Sequence, residues 1–365
     1  MNPARTLQAL PSSKATTFRR NLLAWYDAHR RDLPWRASRD PYRVWLSEIM
    51  LQQTRVAAVM EHYREFLRRF PAVGKLAAAR EASVLAAWSG LGYYRRARML
   101  RTAAKVIVRE HGGTFPASQE GLRALPGVGR YTAAAIASIA FGEPVAAVDG
   151  NVERVLQRVS GQRLAGEELW QTANHLLAAK RPGDFNQAMM ELGAVVCTPR
   201  APACLTCPVV ELCATRGELA ATTKPAPQKK LALHYALNYR NRNNRGDDRD
   251  GDDRDGDDRD DDRGDGEVFL VQRPRNASLM PGMWELPELA RTNGAAVPSF
   301  TLRHSITVTD YTVGVWRAAA PSNVPGKWIP VLRLGHVALT GLARKILRQA
   351  GILRKESRRV APARV

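Results

Sequence analysis

The chain has 365 residues, 45% of them hydrophobic, which is too long for one compact core and too apolar for a wholly disordered polymer. Lys and Arg number 55 against 35 Asp and Glu, a net charge of +20, yet residues 246–267 hold twelve Asp, one Glu and four Arg, so that stretch carries −9 and the remainder +29. So large a basic excess predicts a polyanionic partner, because Lys and Arg displace counterions from phosphates; charge alone also allows an enzyme of acidic substrates or a membrane-surface protein.

MNPARTLQALPSSK lacks the apolar stretch and cleavage site of a secretory signal, and no run of about 18 apolar residues predicts a membrane helix. From residue 16 to 216 the pattern is helical. FRRNLLAWYDAHR and ARMLRTAAKVIVRE repeat apolar residues at spacings of three and four, and FPAVGK and ALPGVGR break them. An all-helical domain is predicted over residues 1–216. Within it, YRVWLSEIMLQQT sets Glu48 in a largely apolar helix. Its neighbours one turn away are Val44, Trp45, Leu51 and Gln52, none a cation, so no local ion pair accounts for it. Two readings stand: an exposed helix Glu, or a carboxyl whose pKa is raised by apolar surroundings and which can give up a proton near neutral pH. LPWR, residues 33–36, offers an aromatic wall and a positive charge beside it.

LRALPGVGRYTAAAIASIAFG has the pattern of a helix-hairpin-helix, with Gly127 and Gly129 permitting a tight turn whose amides can bind a phosphate at the start of the next helix. One helix length later, VDGNV places Asp149 at a helix entrance, where it can serve as an N-cap, as a carboxylate facing a cationic sugar, or as both. All four cysteines fall within Cys197, Cys204, Cys207 and Cys213, spaced C-x6-C-x2-C-x5-C. Such clustering reads as a soft metal site in a reducing cytoplasm, either zinc or a [4Fe–4S] cluster; only one short Cys-x2-Cys step favours the cluster.

TTKPAPQKK gives a linker over residues 217–230, and a second, mixed α and β domain is predicted over 231–358. LALHYALNY and EVFLVQRP alternate like strands, TLRHSITVTDYTVGVW adds more, and HVALTGLARKILRQAG reads as an amphipathic helix. Between the first two strands lies GDDRDGDDRDGDDRD, part of an acidic insert at 241–266 that has no apolar content. It is expected to be disordered, a solvated spacer joining two strands of one hairpin or an acidic tail that competes with DNA.

Taken in order, LPWR, WLSEIMLQQT, GLGYYRRAR, LPGVGRYTA, VDGNVERV, MELGAVVC and the cysteine spacing, then LVQRP and MPGMWELP, resemble the MutY-type adenine DNA glycosylases of the endonuclease III, or helix-hairpin-helix, superfamily. The resemblance covers most of the chain. It implies a helical glycosylase domain with an iron–sulfur loop, an α+β Nudix-like domain, and base-excision repair of adenine opposite 8-oxoguanine or guanine in double-stranded DNA. It implies a [4Fe–4S] cluster on Cys197, Cys204, Cys207 and Cys213, and a cytoplasmic, nucleoid-associated monomer that does not engage membranes. Glu48 then corresponds to the acid that protonates adenine and Asp149 to the carboxylate that stabilises an oxocarbenium-like sugar, with Tyr131 and Asn151 lining the same site. Arg31, Leu33, Trp35 and Glu191 match positions around the flipped base. Gln53 and Tyr93 match residues inserted near the gap or beside the oxidised guanine, and Gly127 and Gly129 match the phosphate-binding hairpin.

Bifunctional relatives carry a lysine just after LPGVGR that attacks the sugar as an amine; here Tyr131 stands there, so a monofunctional enzyme is expected. MPGMWELP is not followed by a Glu-rich Mg²⁺-binding box, which argues for a reader and against pyrophosphate hydrolysis. The reading loop departs from the family, with Ile306, Thr307 and Val308 where Phe, Ser and His are usual, so that discrimination of 8-oxoguanine from guanine is expected either to be weaker or to use Thr307 and Ser305 instead. Two rivals remain: a pyrimidine-specific glycosylase with lyase activity, disfavoured by Tyr131, and a catalytically silent DNA-binding module, disfavoured by Glu48 and Asp149 together.

Overall fold

A computed structural model describes residues 11–219, 229–241, 266–290, 297–306 and 309–353. Most of the expected linker, almost all of the acidic insert, and Thr307 and Val308 lie outside the described residues. The chain divides into two units, Met1–Ala79 with Arg98–Lys224, and Arg80–Ala97 with Pro225–Val365.

The first unit is helical: α1 (Ser12–His29), α2 (Pro41–Leu51), α3 (Val56–Arg69), α4 (Val73–Ala78), most of α6 (Arg95–His111), α7 (Gln119–Arg123), α8 (Arg130–Ala140), α9 (Gly150–Ser160), α10 (Gly166–Leu176) and α11 (Pro182–Val195). The helix α5 (Glu81–Trp88) falls in the other unit. Local chemistry sets the entrances that matter for function. Asp40 accepts from the Arg43 amide at 2.8 Å, and Pro41 occupies the first turn of α2, where its missing N–H costs nothing. The sequence of α8, RYTAAAIASIA, is rich in small residues, so α2 and α11 pack closely against it. At the nearest approach, a Cβ on Gly183 of α11 would stand 2.7 Å from the Ser138 carbonyl oxygen. Phe18, Leu22 and Tyr26 of α1 join Val152, Val155, Phe185 and Leu192 in the buried core beneath. Among the described residues, no helix is long and apolar enough to cross a membrane.

The predicted hairpin connects α7 and α8. Leu122 and Leu125 are buried under it, Gly129 is the N-cap of α8, and Gly127 has a φ of +77°.

The second unit holds two sheets. In one, β6 (Thr309–Trp316) lies between β1 (Lys229–Ala236), parallel to it, and β5 (Phe300–Ile306), antiparallel. In the other, β3 (Gly266–Gln272) pairs antiparallel with β7 (Gly326–Pro330) on one edge, and with β2 (Tyr239–Asn241) and β4 (Trp284–Glu285) on the opposite edge. The helix α12 (Gly341–Gln349) packs Leu342, Ile346 and Leu347 onto Val268, Leu270, Val313 and Val315. LALHYALNY, expected as one strand, is two: the chain leaves the first sheet after Ala236, where the Leu237 amide bonds the Trp316 carbonyl at 2.7 Å, and enters the second at Tyr239. The ends of the acidic insert nonetheless meet as a hairpin would require, with Asn241 opposite Gly266.

Gly127→Ala should destabilise the helical unit by more than about 1 kcal/mol, because the left-handed backbone disfavours a side chain and the new Cβ would lie 2.7 Å from Met99 Cβ. Gly129→Ala, with φ of −84° and nothing within 4 Å of the added carbon, should lose less. Denaturant unfolding followed by helical circular dichroism checks the order of the two losses.

Candidate active site

Glu48 sits on the inward face of α2, only 6% exposed, where α2 meets α8. The Tyr131 hydroxyl donates to its Oε2 at 2.5 Å and also lies 3.2 Å from Met190 Sδ. Burial penalises the carboxylate form and is the largest influence on this group. The Tyr131 hydrogen bond and the Arg36 charge pull the other way while the Asp149 charge adds to burial, and the carboxyl is pushed up to about 7. Burial and the charges of Glu48 and Asp149 push the Tyr131 phenol well up, so near neutrality it is a proton donor to Glu48.

Asp149 is the N-cap of α9. Its Oδ1 accepts the amides of Asn151 and Val152 at 2.9 and 2.8 Å, and its Oδ2 accepts the Asn151 side-chain N–H at 3.0 Å. Capping thus uses one oxygen and leaves the other with a single side-chain donor, so the two roles read from the sequence are compatible. Asn151 is itself fixed: its Oδ1 accepts from Arg154 Nη2 at 2.7 Å, and that guanidinium also bonds the Gly193 carbonyl at 2.7 Å and the Cys197 carbonyl at 2.8 Å. Arg154 was not singled out in the sequence, although its position three residues after Asn151 puts the two on one helix face. Gly193, inside MELGAVVC, allows the approach, since a Cβ there would come within 2.6 Å of Asn151 Cβ.

A second carboxylate shows the opposite environment. Glu191, 1% exposed on α11, takes two bonds from the Arg31 side chain, Nε to Oε1 at 2.6 Å and Nη2 to Oε2 at 2.7 Å, and one from Arg36 Nη2 at 2.8 Å. Burial alone would raise its pKa, but the two guanidiniums hold it at about 2. The short turn Pro34–Arg36 carries Trp35, buried and edge-on to Tyr63 with 5.6 Å between ring centroids, and Leu33 is buried beside it.

Glu48, Tyr131, Asp149 and Asn151 form one group, and Arg31 and Glu191 another, joined through Arg36. Gln53 follows α2 with a left-handed φ of 55° and is exposed. Tyr93 belongs to the second unit, also left-handed at φ 47° and half exposed. The four cysteines line one small pocket with Val155, Val196 and Arg158. Arg158 Nη1 lies 3.3 Å from Cys197 Sγ, and the Arg216 amide donates to Cys213 Sγ at 3.4 Å. Burial, with the neighbouring sulfurs adding, pushes the Cys207 thiol up to about 11. Among the described residues no three His, Cys, Asp or Glu side chains converge on a single metal ion. An all-sulfur donor set around a shared pocket, with N–H groups aimed at two of the sulfurs, suits an iron–sulfur cluster.

Residues 46–176 match the family model of the HhH-GPD superfamily base excision DNA repair proteins. The adenine DNA glycosylase of Mus musculus is 36% identical over 401 aligned positions, covering 91% of this chain and 78% of that one. A thermostable thymine-DNA glycosylase structure superposes with a TM-score of 0.53 at 32% identity, covering 56% of this chain and 97% of the other. A trapped endonuclease III–DNA intermediate, 23% identical with a TM-score of 0.51 and covering 57% and 97%, shares the fold.

The raised Glu48 pKa has a consequence for stability. A carboxyl that binds its proton more tightly folded than unfolded contributes stability below the unfolded value near 4.5, and loses it as pH rises through about 7. The native state at pH 8.5 should therefore be less stable by roughly 3 kcal/mol at this position than at low pH. Glu48→Gln, which keeps an acceptor for Tyr131 without the charge, should melt higher than the parent at pH 8.5 and close to it at pH 5, as scanning calorimetry at the two pH values would show.

Proposed function

Because the chain belongs to the adenine DNA glycosylases of the helix-hairpin-helix base-excision repair superfamily, we propose that it hydrolyses the N-glycosidic bond of adenine mispaired with 8-oxoguanine or guanine in double-stranded DNA. The observation that carries this reading is a buried acid with its pKa near 7, hydrogen-bonded to Tyr131 and close enough to Asp149 to feel its charge. Adenine is a poor leaving group until a ring nitrogen is protonated, and Glu48 is half protonated near neutral pH, which suits a general acid. As the bond to the sugar breaks, positive charge develops on the ring, and Asp149 stabilises it through the Oδ2 that only Asn151 engages. Having given up its proton, Glu48 is a carboxylate able to accept one from the attacking water, while Asn151, braced by Arg154, helps place that water. The adenine must leave the base stack first, and Leu33, Trp35, Arg31 and Glu191 line the pocket that receives it. Gln53 and Tyr93 match residues inserted near the gap or beside the oxidised guanine, and the hairpin amides at Gly127 and Gly129 would hold a phosphate.

Cys197, Cys204, Cys207 and Cys213 would hold a [4Fe–4S] cluster that orders their loop, and the purified protein should be brown, whereas a zinc protein would be colourless. The C-terminal unit is assigned as a Nudix-like reader of 8-oxoguanine. Its expected contact, Thr307, lies outside the described residues.

Three outcomes test the chemistry. Excision should slow as pH rises through about 7, and Tyr131→Phe, which removes the hydrogen bond that lowers the Glu48 pKa, should move that limb to higher pH in single-turnover profiles. Glu48→Gln should lose turnover while retaining mismatch binding; a binding module would have no turnover to lose. A lesion duplex treated with the parent protein should break at the abasic site only after alkali, since Tyr131 cannot form a Schiff base; a borohydride-trapped adduct would assign the chain to the lyases.

A further inference from the structure

The loop from Trp88 to Arg96 is held in an unusual shape. Tyr93 is bulky, half exposed and left-handed at φ 47°, and its neighbours Gly90 and Gly92 have φ of 109° and 69°. A large aromatic in this region is costly and persists only where the surroundings over-determine it. Here they do. Trp88 Nε1 donates to the Gly92 carbonyl at 3.2 Å, Arg96 Nη2 donates to the Leu91 carbonyl at 3.2 Å, and the Arg96 guanidinium lies 5.6 Å from the centroid of the Tyr93 ring.

Beneath the loop, two hydroxyls converge on one backbone oxygen some 250 residues away. Ser89 Oγ donates to the Leu339 carbonyl at 2.7 Å, and the Tyr94 hydroxyl donates to the same oxygen at 3.2 Å. Each hydroxyl also accepts: Ser89 Oγ from Arg344 Nε on α12 at 3.1 Å, Tyr94 from the Gly90 amide at 3.5 Å. Ser89 and Tyr94 are 2% and 4% exposed, so this is a buried network with its donors and acceptors matched. Leu339 is in turn pinned to Trp284 of the MPGMWELP segment, through the Thr340 amide to the Trp284 carbonyl at 2.9 Å and the Trp284 amide to the Ala338 carbonyl at 2.8 Å.

We infer that Ser89, Tyr94 and Arg344 are positioning residues for opposite-base selection: the unit that carries α12 holds the Tyr93 loop in its strained shape through the Leu339 carbonyl. Its part in selectivity is then to mount the aromatic that probes the opposite base. The inference rests on the reading of Tyr93 as an opposite-base contact.

The test uses the full-length protein with Ser89→Ala, Tyr94→Phe, Arg344→Met and Arg344→Lys. Two quantities are measured: amide hydrogen exchange at residues 90–93 without DNA, and the ratio of single-turnover excision rates for adenine opposite 8-oxoguanine and opposite cytosine. In the Ser89→Ala/Tyr94→Phe protein, exchange should quicken by at least about tenfold. The rate ratio should fall about fivefold to tenfold, Arg344→Met should give a smaller fall, and Arg344→Lys should recover most of it. In a Tyr93→Ala background the same substitutions should change the ratio by less than about twofold, because the residue they position is gone. Unchanged exchange in the double variant, or an equal fall in the ratio with Tyr93 absent, overturns the inference. If exchange quickens but the parent excises no adenine, or Tyr93→Ala alone leaves the ratio intact, the reading of Tyr93 fails and takes the selectivity claim with it. The single substitutions guard against misfolding, since either hydroxyl alone still satisfies the Leu339 carbonyl.

Discussion

The hydrogen bond between the Tyr131 hydroxyl and the Glu48 carboxyl governs the rest of the helical unit. It spans α2 and α8, so its 2.5 Å length requires that two helices meet with little between them, and the run of alanines in α8 permits that approach. A buried carboxyl has two ways to be tolerated: ionise beside a cation, or keep its proton and find a hydrogen-bonding partner. Glu48 stands between these limits. Burial drives it toward the neutral form, a phenol and a distant guanidinium restore part of the anionic form, and the balance lies near neutral pH. Small changes in any of the three would move it.

Glu191 shows how completely surroundings decide the behaviour of one residue type. It is even less exposed than Glu48, yet the Arg31 fork and a single bond from Arg36 keep it ionised far into acid. Two glutamates within one fold are thus driven apart, one pushed up to about 7 and the other held at about 2. Arg36 links them, bonding Glu191 directly and acting on Glu48 through space.

Much of this was legible in the sequence because it was written locally. An apolar helix containing Glu48 and no cation one turn away, an Asp before a helix entrance, and two glycines ahead of an alanine-rich helix each follow from short-range rules. What escaped was long-range. Arg154 lies within VDGNVERV, but its worth depends on where Gly193 and Cys197 bring their carbonyls. Residues 80–97 group with the C-terminal unit and bond the carbonyl at position 339, and no periodicity announces such a partner. The division of LALHYALNY between two sheets was hidden too, because alternation reveals that a segment is extended and not which neighbour it pairs with. The family resemblance named the pocket residues; the physical account of why they have their properties comes from packing.

The pairing of Asn241 with Gly266 has a practical consequence. Both residues are register partners at the open end of two adjoining strands, so chain spliced between them begins and finishes at neighbouring points. The entropy lost in closing such a loop grows only as the logarithm of its length, about 0.6 kcal/mol for each doubling. That position is therefore a natural port for grafting: a fluorophore-binding peptide or an affinity handle could replace the aspartate repeats there while the flanking hydrogen-bond ladder keeps its alignment.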